Sequence, residues 1–199
     1  MSRSATVTLA LAIGIPVLMA GCAAPDYTPT LYYAIEPVIE VAEAEPTGAS
    51  LGMRPLQADR PYRQRMMFRE RGHILQAYLN AEWAKGPSEA AARALLDAIT
   101  ETGRFSDVGN AADMPRPDYM LLGTLRRFEE DRTREEAAAV VEGRLALRRG
   151  GDRSAVWTDI IRASHPLEGE GPTAYAEAMS EALGQWASEA AEQIAAAAG

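Results

Sequence analysis

Apolar and polar residues repeat along the chain with two different periods, and the longer period predicts two helices. Residues 86–103 form the first. The apolar positions at helical spacing there are Ala92, Leu95, Leu96 and Ile99. A Gly-Pro pair opens the stretch and Gly103 closes it, as is typical of an amphipathic helix. We therefore expect one buried face on this helix.

A second Gly-Pro pair opens residues 171–198, where two sets of side chains fall on opposite sides of a helix. The apolar set is Tyr175, Met179, Leu183, Trp186, Ala190 and Ile194, and the polar set is Glu177, Glu181, Gln185, Glu189 and Glu192. This pattern predicts a long helix that packs on a flat surface, with the polar set in solvent.

A period of two predicts strands in most of the remaining chain. Residues 118–128 carry small or apolar side chains at positions 119, 121, 123 and 125, and residues 138–164 predict a hairpin around Gly150-Gly151-Asp152. Residues 64–71 and 73–79 predict another pair around Gly72, and residues 30–39 and 49–57 predict two more strands. The expected fold is α+β: a two-layer sandwich with a mostly antiparallel sheet and both helices on one face.

The only cysteine, Cys22, follows an apolar run that is typical of a signal peptide. Arg3 precedes the run, which Gly14 and Pro16 interrupt and which is too short to span a bilayer. Leu18-Met19-Ala20-Gly21-Cys22 resembles the bacterial lipobox. That resemblance implies cleavage after Gly21, a diacylglycerol thioether on the sulfur and an N-acyl chain such as palmitate. We expect a signal peptide at residues 1–21, a lipidated tether at 22–30 and one periplasmic domain at 31–199.

Charge and motifs narrow the possible functions. The formal net charge is −8, which makes nucleic acid a poor partner because phosphate neutralisation supplies most of that affinity. His73 and His165 form no metal-ligand motif, and no phosphate loop or nucleophile elbow is present. The acids Glu129-Glu130-Asp131 and Glu135-Glu136 fall in what the pattern predicts as a solvated, charged connector. We expect no enzyme activity, no metal and no cofactor beyond the acyl groups.

Two features favour binding. Five arginines lie close together in the sequence: Arg60, Arg63, Arg65, Arg69 and Arg71. Their guanidinium groups suit the carboxylates of a partner or lipid phosphates, and the alternative is an outward strand face that discourages edge pairing. Large apolar residues form a second set: Met66, Met67, Phe68, Trp83 and Trp157. Most of these should be core, with one or two available to line a lipid-sized groove.

Several motifs together resemble the ABC-type transport auxiliary lipoprotein family. They are the lipobox, "LYYAI" at 31–35, "NAEWAKGPSEAAARALLDAI" at 80–99, "LRRFEED" at 125–131 and "YAEAMSEALGQWASEAAEQIA" at 175–195. The resemblance covers roughly Leu31 to Ala198. It departs at residues 38–56, where a charged connector leaves the first strands poorly aligned.

The resemblance implies a non-enzymatic auxiliary subunit of an ABC/MCE-type lipid transport system, of the kind that paraquat-inducible systems contain. Such a lipoprotein sits on the periplasmic side of the outer membrane and docks an MCE-domain protein there. Phospholipid is a further candidate ligand. Ala23 agrees with this location, because an aspartate after the cysteine favours inner-membrane retention in similar lipoproteins. Only Cys22 carries over with a defined chemical role.

Two other functions remain as alternatives. One is a structural lipoprotein scaffold for another envelope assembly, such as a secretion or TolB-like scaffold with a similar α+β domain. The other is a periplasmic hydrolase, which would need a triad that the sequence does not supply.

Overall fold

The computed structural model describes residues 28–71, 73–133 and 135–199. In this part of the chain there are nine strands and two helices. The strands are β1 (Leu31–Tyr33), β2 (Ser50–Met53), β3 (Gln57–Ala58), β4 (Arg65–Glu70), β5 (Ile74–Trp83), β6 (Asp107–Asn110), β7 (Tyr119–Asp131), β8 (Ala138–Arg149) and β9 (Ala155–Pro166). The helices are α1 (Pro87–Glu101) and α2 (Gly171–Ala197). The predicted signal peptide, Cys22 and residues 23–27 of the tether lie outside the described residues.

Helix α1 begins and ends where the sequence predicts. Gly86 is its N-cap and Pro87 its first residue, where the missing proline N–H leaves no bond unmade. Gly103 follows the C-cap with a φ of +65°, a conformation that glycine adopts readily. The predicted buried face is shifted, since Ala92 and Leu96 are only partly buried. The buried side is Pro87, Ala91, Ala94, Leu95, Ala98 and Ile99, and its three alanines are small apolar residues that a pattern of large apolar residues does not include.

Helix α2 confirms the predicted two-sided pattern. All six residues of its apolar set are fully buried, and all five residues of its polar set are exposed. The helix packs on β8 and β9 and also contacts α1. A Cβ atom on Gly143 of β8 would lie 2.6 Å from Cζ2 of Trp186, so the glycine admits the indole ring. The Trp186 Nε1–H donates to the carbonyl of Ile161 at 3.2 Å.

The sheet is organised around β7, which is paired on both edges. Strand β8 pairs antiparallel with it from Tyr119 to Asp131, and β9 continues the sheet beyond β8. On the other edge β2, β3 and β4 follow one another, each parallel to β7. Beyond them lie β6 next to β2, and β5 then β1 next to β4. The α+β fold with two helices on a mostly antiparallel sheet is confirmed, and the short parallel pairs are an addition to it.

The predicted strand at residues 30–39 is mostly not a strand. Only β1 joins the sheet, and residues 34–45 form an extended segment, here called the strap, that runs along α2. Its N–H groups at 36, 40 and 42 donate to the side chains of Ser180, Ser188 and Glu192 at 3.1 Å each. At about 1.5 Å per residue the helix rises about 12 Å from Ser180 to Ser188 and about 6 Å from Ser188 to Glu192. Four and then two residues of extended chain, at about 3.3 Å each, span nearly the same distances. The strap therefore has the extended backbone that the pattern predicts, with helix side chains in place of a neighbouring strand.

Gly184 allows the strap to approach the helix. A Cβ atom at this position would lie only 2.2 Å from the carbonyl oxygen of Val38. Ile35, Ile39 and Val41 on the strap pack against the core, so the strap covers part of the helix layer. The second predicted strand of this half, residues 49–57, is split into β2 and β3.

Candidate functional site

Three consecutive carboxylates, Glu129, Glu130 and Asp131, end strand β7 and are buried. Their exposures are 0%, 2% and 4%. The expectation that they are solvated acids in a connector is therefore wrong. The strand simply continues through them, with β8 paired along its whole length, and their charges are met by arginines and tyrosines from neighbouring positions.

Glu129 is the centre of a polar network on one face of the sheet. Arg69 on β4 binds it with both arms, Nε to Oε1 at 2.6 Å and Nη2 to Oε2 at 2.8 Å. Arg127 donates from Nε to Oε1 at 2.7 Å, and the hydroxyl of Tyr62 donates to Oε2. Arg127 also reaches Asp131 at 3.0 Å. This network, called the Glu129 cluster below, ties β4, β7 and the loop before β4 together.

Glu130 lies on the opposite face and has its own partners. Arg132 donates from Nε to Oε1 at 2.6 Å, and the hydroxyl of Tyr78 on β5 donates to Oε2 at 2.5 Å. The Arg132 guanidinium carbon lies 4.0 Å from the ring centroid of Phe68, so the cation also rests on an aromatic face. The Tyr78 ring in turn stacks on Tyr175 of α2, which connects this pair to the helix layer.

The electrostatics of the site keep Glu129 and Asp131 ionised. Burial opposes the charge of Glu129, but hydrogen bonds from Arg69, Tyr62 and Arg127 outweigh it and lower its pKa. Burial likewise opposes the charge of Asp131, but hydrogen bonds from Thr133 and Arg127 lower its pKa to about 2. Burial and the bond to Glu129 raise the pKa of the Tyr62 hydroxyl. The two acids are thus held as anions, whereas a general acid at neutral pH needs a raised pKa.

The five arginines that the sequence singles out do not form one cluster. Arg69 lies in the Glu129 cluster, and its side chain is 21% exposed. Arg60, Arg63, Arg65 and Arg71 are exposed. Two of these lie in the loop between β3 and β4, Arg65 begins β4, and Arg71 lies in the turn after it. Four cations therefore face solvent at different points around β4, which leaves their predicted binding role a proposal.

An apolar groove of about 320 Å³ lies between the strap and α1. Apolar parts of Ile35, Pro37, Ile39, Ala90, Ala94 and Leu183 line it, with Lys85, Arg93 and Asp97 also at its wall. The large apolar residues named from the sequence are elsewhere. Met66, Met67, Phe68 and Trp83 are in the core, and Trp157 packs against it half-buried. The groove depends on the strap, whose position on the helices the sequence pattern does not reveal.

The two histidines are separate from this network and from each other. His73 is exposed in the turn between β4 and β5, and His165 on β9 has its Nδ1 3.5 Å from the Gln185 amide. Within residues 28–71, 73–133 and 135–199, no three His, Cys, Asp or Glu side chains are grouped as metal ligands. In that same part of the chain, no helix is long and apolar enough to cross a membrane.

The residues that sequence reasoning missed carry a signal of their own. The stretch 126–132 reads Arg-Arg-Phe-Glu-Glu-Asp-Arg, with acids enclosed by arginines and directly continuous with a strand pattern. Such a stretch can satisfy its charges within a sheet. Fold and site together define an α+β domain whose buried ion pairs fix its shape and whose strap and exposed arginines offer contact surfaces.

The chain matches the model of one known protein family. The family model for the ABC-type transport auxiliary lipoprotein component matches residues 33–191. The chain belongs to this family, as the motifs predict. Its members are lipoproteins associated with ABC-type transport.

Solved structures share the fold. A crystal structure of the protein XCC0632 from Xanthomonas campestris has a TM-score of 0.76 at 24% identity, with 84% of this chain and 96% of that chain covered. A crystal structure of an uncharacterized protein has a TM-score of 0.63 at 12% identity, covering 78% of this chain and 99% of that one. None of the curated proteins compared with the chain matches it.

Proposed function

We propose that this protein is a non-enzymatic subunit of an MCE-type lipid transport system, held on the periplasmic side of the outer membrane by acyl chains on Cys22. One observation carries the proposal. A domain of the ABC-type transport auxiliary lipoprotein family, matched over residues 33–191, follows a short tether after a lipobox-like sequence that ends at Cys22. In this proposal the acyl chains supply the location, and the folded domain supplies the recognition of a transport component.

Anchoring to a membrane suits a docking subunit physically. One acyl chain binds a bilayer only marginally, whereas two or three hold a protein stably. A tethered domain then meets its partner at a high effective concentration, because it searches only a thin layer beside the membrane. The partner in this proposal is a periplasmic MCE-domain protein that delivers lipid across the aqueous gap.

A docking domain needs a fixed shape to recognise its partner, and two features of the described residues hold its elements together. The Glu129 cluster binds β4 to β7, and the strap joins the beginning of the domain to α2 through Ser180, Ser188 and Glu192. The four exposed arginines Arg60, Arg63, Arg65 and Arg71 are candidate contacts for partner carboxylates or lipid phosphates.

The test is fractionation of cell envelopes that express the full chain. Cys22→Ser should leave the protein out of the membrane fraction while its circular dichroism stays native. Ala23→Asp is the matched control, since it keeps the cysteine but supplies the residue that favours the inner membrane, and it should move the protein there. Wild-type protein extracted from outer membranes should co-purify with an MCE-domain protein. Recovery of Cys22→Ser in the outer membrane, or co-purification with a secretion assembly in place of the MCE protein, would overturn the proposal.

A further inference from the structure

Three of the most exposed large apolar side chains lie at one edge of the sheet. Leu31 and Tyr32 on β1 are 56% and 64% exposed, and Leu79 on the neighbouring strand β5 is 90% exposed. Leu31 pairs with Ala81, two residues beyond Leu79, so the register places the three side chains at the same end of the β1–β5 pair. This set of residues is called the apolar edge below.

The backbone of β5 is shaped to turn Leu79 outward. Asn80 has a φ of +55°, in the left-handed region, where asparagine is tolerated better than most residues. The register with β4 shifts at the same point, from Arg65 opposite Glu82 to Met67 opposite Ala77. The sheet thus contains a bulge at this point, and the Leu79 side chain beside it contacts almost nothing in the domain. Bulges that redirect a side chain are common where a sheet meets something else.

The apolar edge is also the first part of the domain after the proposed anchor. Leu31 is nine residues after Cys22. At no more than about 3.3–3.6 Å per residue, those nine residues reach about 30 Å at most. Leu31, the first residue of the edge, is therefore never farther than that from the anchored Cys22, whatever path the tether takes.

The charges beside the edge suit a phospholipid surface. Register places Tyr32 opposite Glu82, and Glu82 opposite Arg65 on the next strand. Arg65 is exposed, and Arg63 lies two residues before it. Register thus places Tyr32 and Arg65 in one row across the sheet with Glu82 between them, so two arginines and one acid lie near the edge. A tyrosine and arginines are side chains that sit at the headgroup level of a membrane, with exposed leucines below them.

We propose that the apolar edge rests on the bilayer, with Leu79 entering the boundary between headgroups and acyl chains, Tyr32 at the headgroup level and Arg65 beside lipid phosphate. This second contact rests on the anchor of the proposed function and goes beyond it. It orients the domain, because an anchor alone lets the domain rotate freely on its tether. The strap and the groove beside α1 then keep a fixed orientation relative to the membrane.

The experiment uses the full lipoprotein in vesicles of phosphatidylethanolamine and phosphatidylglycerol. Acylated Cys22 has no free thiol, so Leu79→Cys supplies one reactive site for an environment-sensitive NBD label. The matched control is Ile160→Cys on β9, an exposed apolar position at 48% exposure on the opposite edge of the sheet. Both positions are surface-exposed, and circular dichroism checks that both variants fold.

We expect the label at residue 79 to shift to shorter wavelength, to be quenched at least twofold more by doxyl-labelled lipid than the label at residue 160, and to be shielded from iodide. Equal lipid quenching at the two positions would overturn the proposal. Shielding from iodide without lipid quenching would also overturn it, because it would show a protein contact at the edge. Failure of the protein to float with the vesicles would refute the anchor itself, which separates that result from failure of the apolar edge.

Discussion

The substitution Glu129→Gln removes the charge at the centre of the buried network while keeping the shape of the side chain. Glu129 is fully buried, accepts both arms of Arg69 and a bond from Arg127, and also accepts from Tyr62. A glutamine offers one oxygen and one N–H group in place of two anionic oxygens. It therefore removes the carboxylate that Arg69 binds with both arms, leaves Arg127 with Asp131 alone, and turns an N–H group toward a donor.

The expected cost follows from burial. Removing one partner of a buried ion pair costs about 3–5 kcal/mol, whereas removing one from an exposed pair costs about 0–1 kcal/mol. The side chains of Arg69 and Arg127 are 21% and 19% exposed, so water can hydrate part of each after the change. We therefore expect the free energy of unfolding to decrease by about 3 kcal/mol, the lower end of the range for a buried pair. For a chain of this size each kcal/mol lowers Tm by about 2–4 °C, which gives a decrease of about 6–12 °C.

The assay is urea denaturation of the detergent-extracted protein followed by tryptophan fluorescence, since Trp83 and Trp186 are fully buried. The control is Asp97→Asn, which breaks an exposed pair with Arg93 at 3.7 Å and should cost less than about 1 kcal/mol. If Glu129→Gln unfolds at the same urea concentration as Asp97→Asn, the Glu129 cluster is not the structural tie that we infer.

Two further predictions concern the strap and the response to acid. Gly184→Ala should destabilise the protein by about 1–3 kcal/mol despite the better helix propensity of alanine, because its Cβ would meet the Val38 carbonyl at 2.2 Å. The control is Gly151→Ala, which has open space around it and should leave the Tm unchanged in thermal melts. Equal Tm values for the two variants would contradict close packing of the strap on α2. The folded-state pKa values of Glu129 and Asp131 lie below their unfolded values of about 4, so the stability they supply is complete above about pH 5 and is lost as pH falls toward 2. In urea titrations at pH 5, 4 and 3, the free energy of unfolding should decrease less with falling pH in Glu129→Gln than in the wild type. The same pH dependence in both proteins would exclude Glu129 as a cause of the decrease.

Periodicity predicted the helices and the long strands because one buried face decides those elements. Both Gly-Pro starts, the long polar side of α2 and the β8–β9 hairpin follow from spacing alone. The strap did not follow from spacing. An extended segment has the same period of two whether it pairs with a strand or with helix side chains, and only Gly184 hints at the close approach.

The site was less predictable than the fold for a physical reason. Charged residues are mostly exposed, so the acids at 129–131 read as a connector unless their partners are known. Two of the partners, Tyr62 and Arg69, come from positions about 60 residues earlier, and only the parallel pairing of β4 with β7 brings them close. Local sequence does not specify that pairing.

The most direct test of the central claim is mass spectrometry of the protein extracted from outer membranes together with its bound partners. The account predicts a chain that begins at Cys22, carries two or three acyl chains and is recovered with an MCE-domain protein. An unmodified first residue, with the protein in the soluble periplasm and no transport component attached, would contradict it.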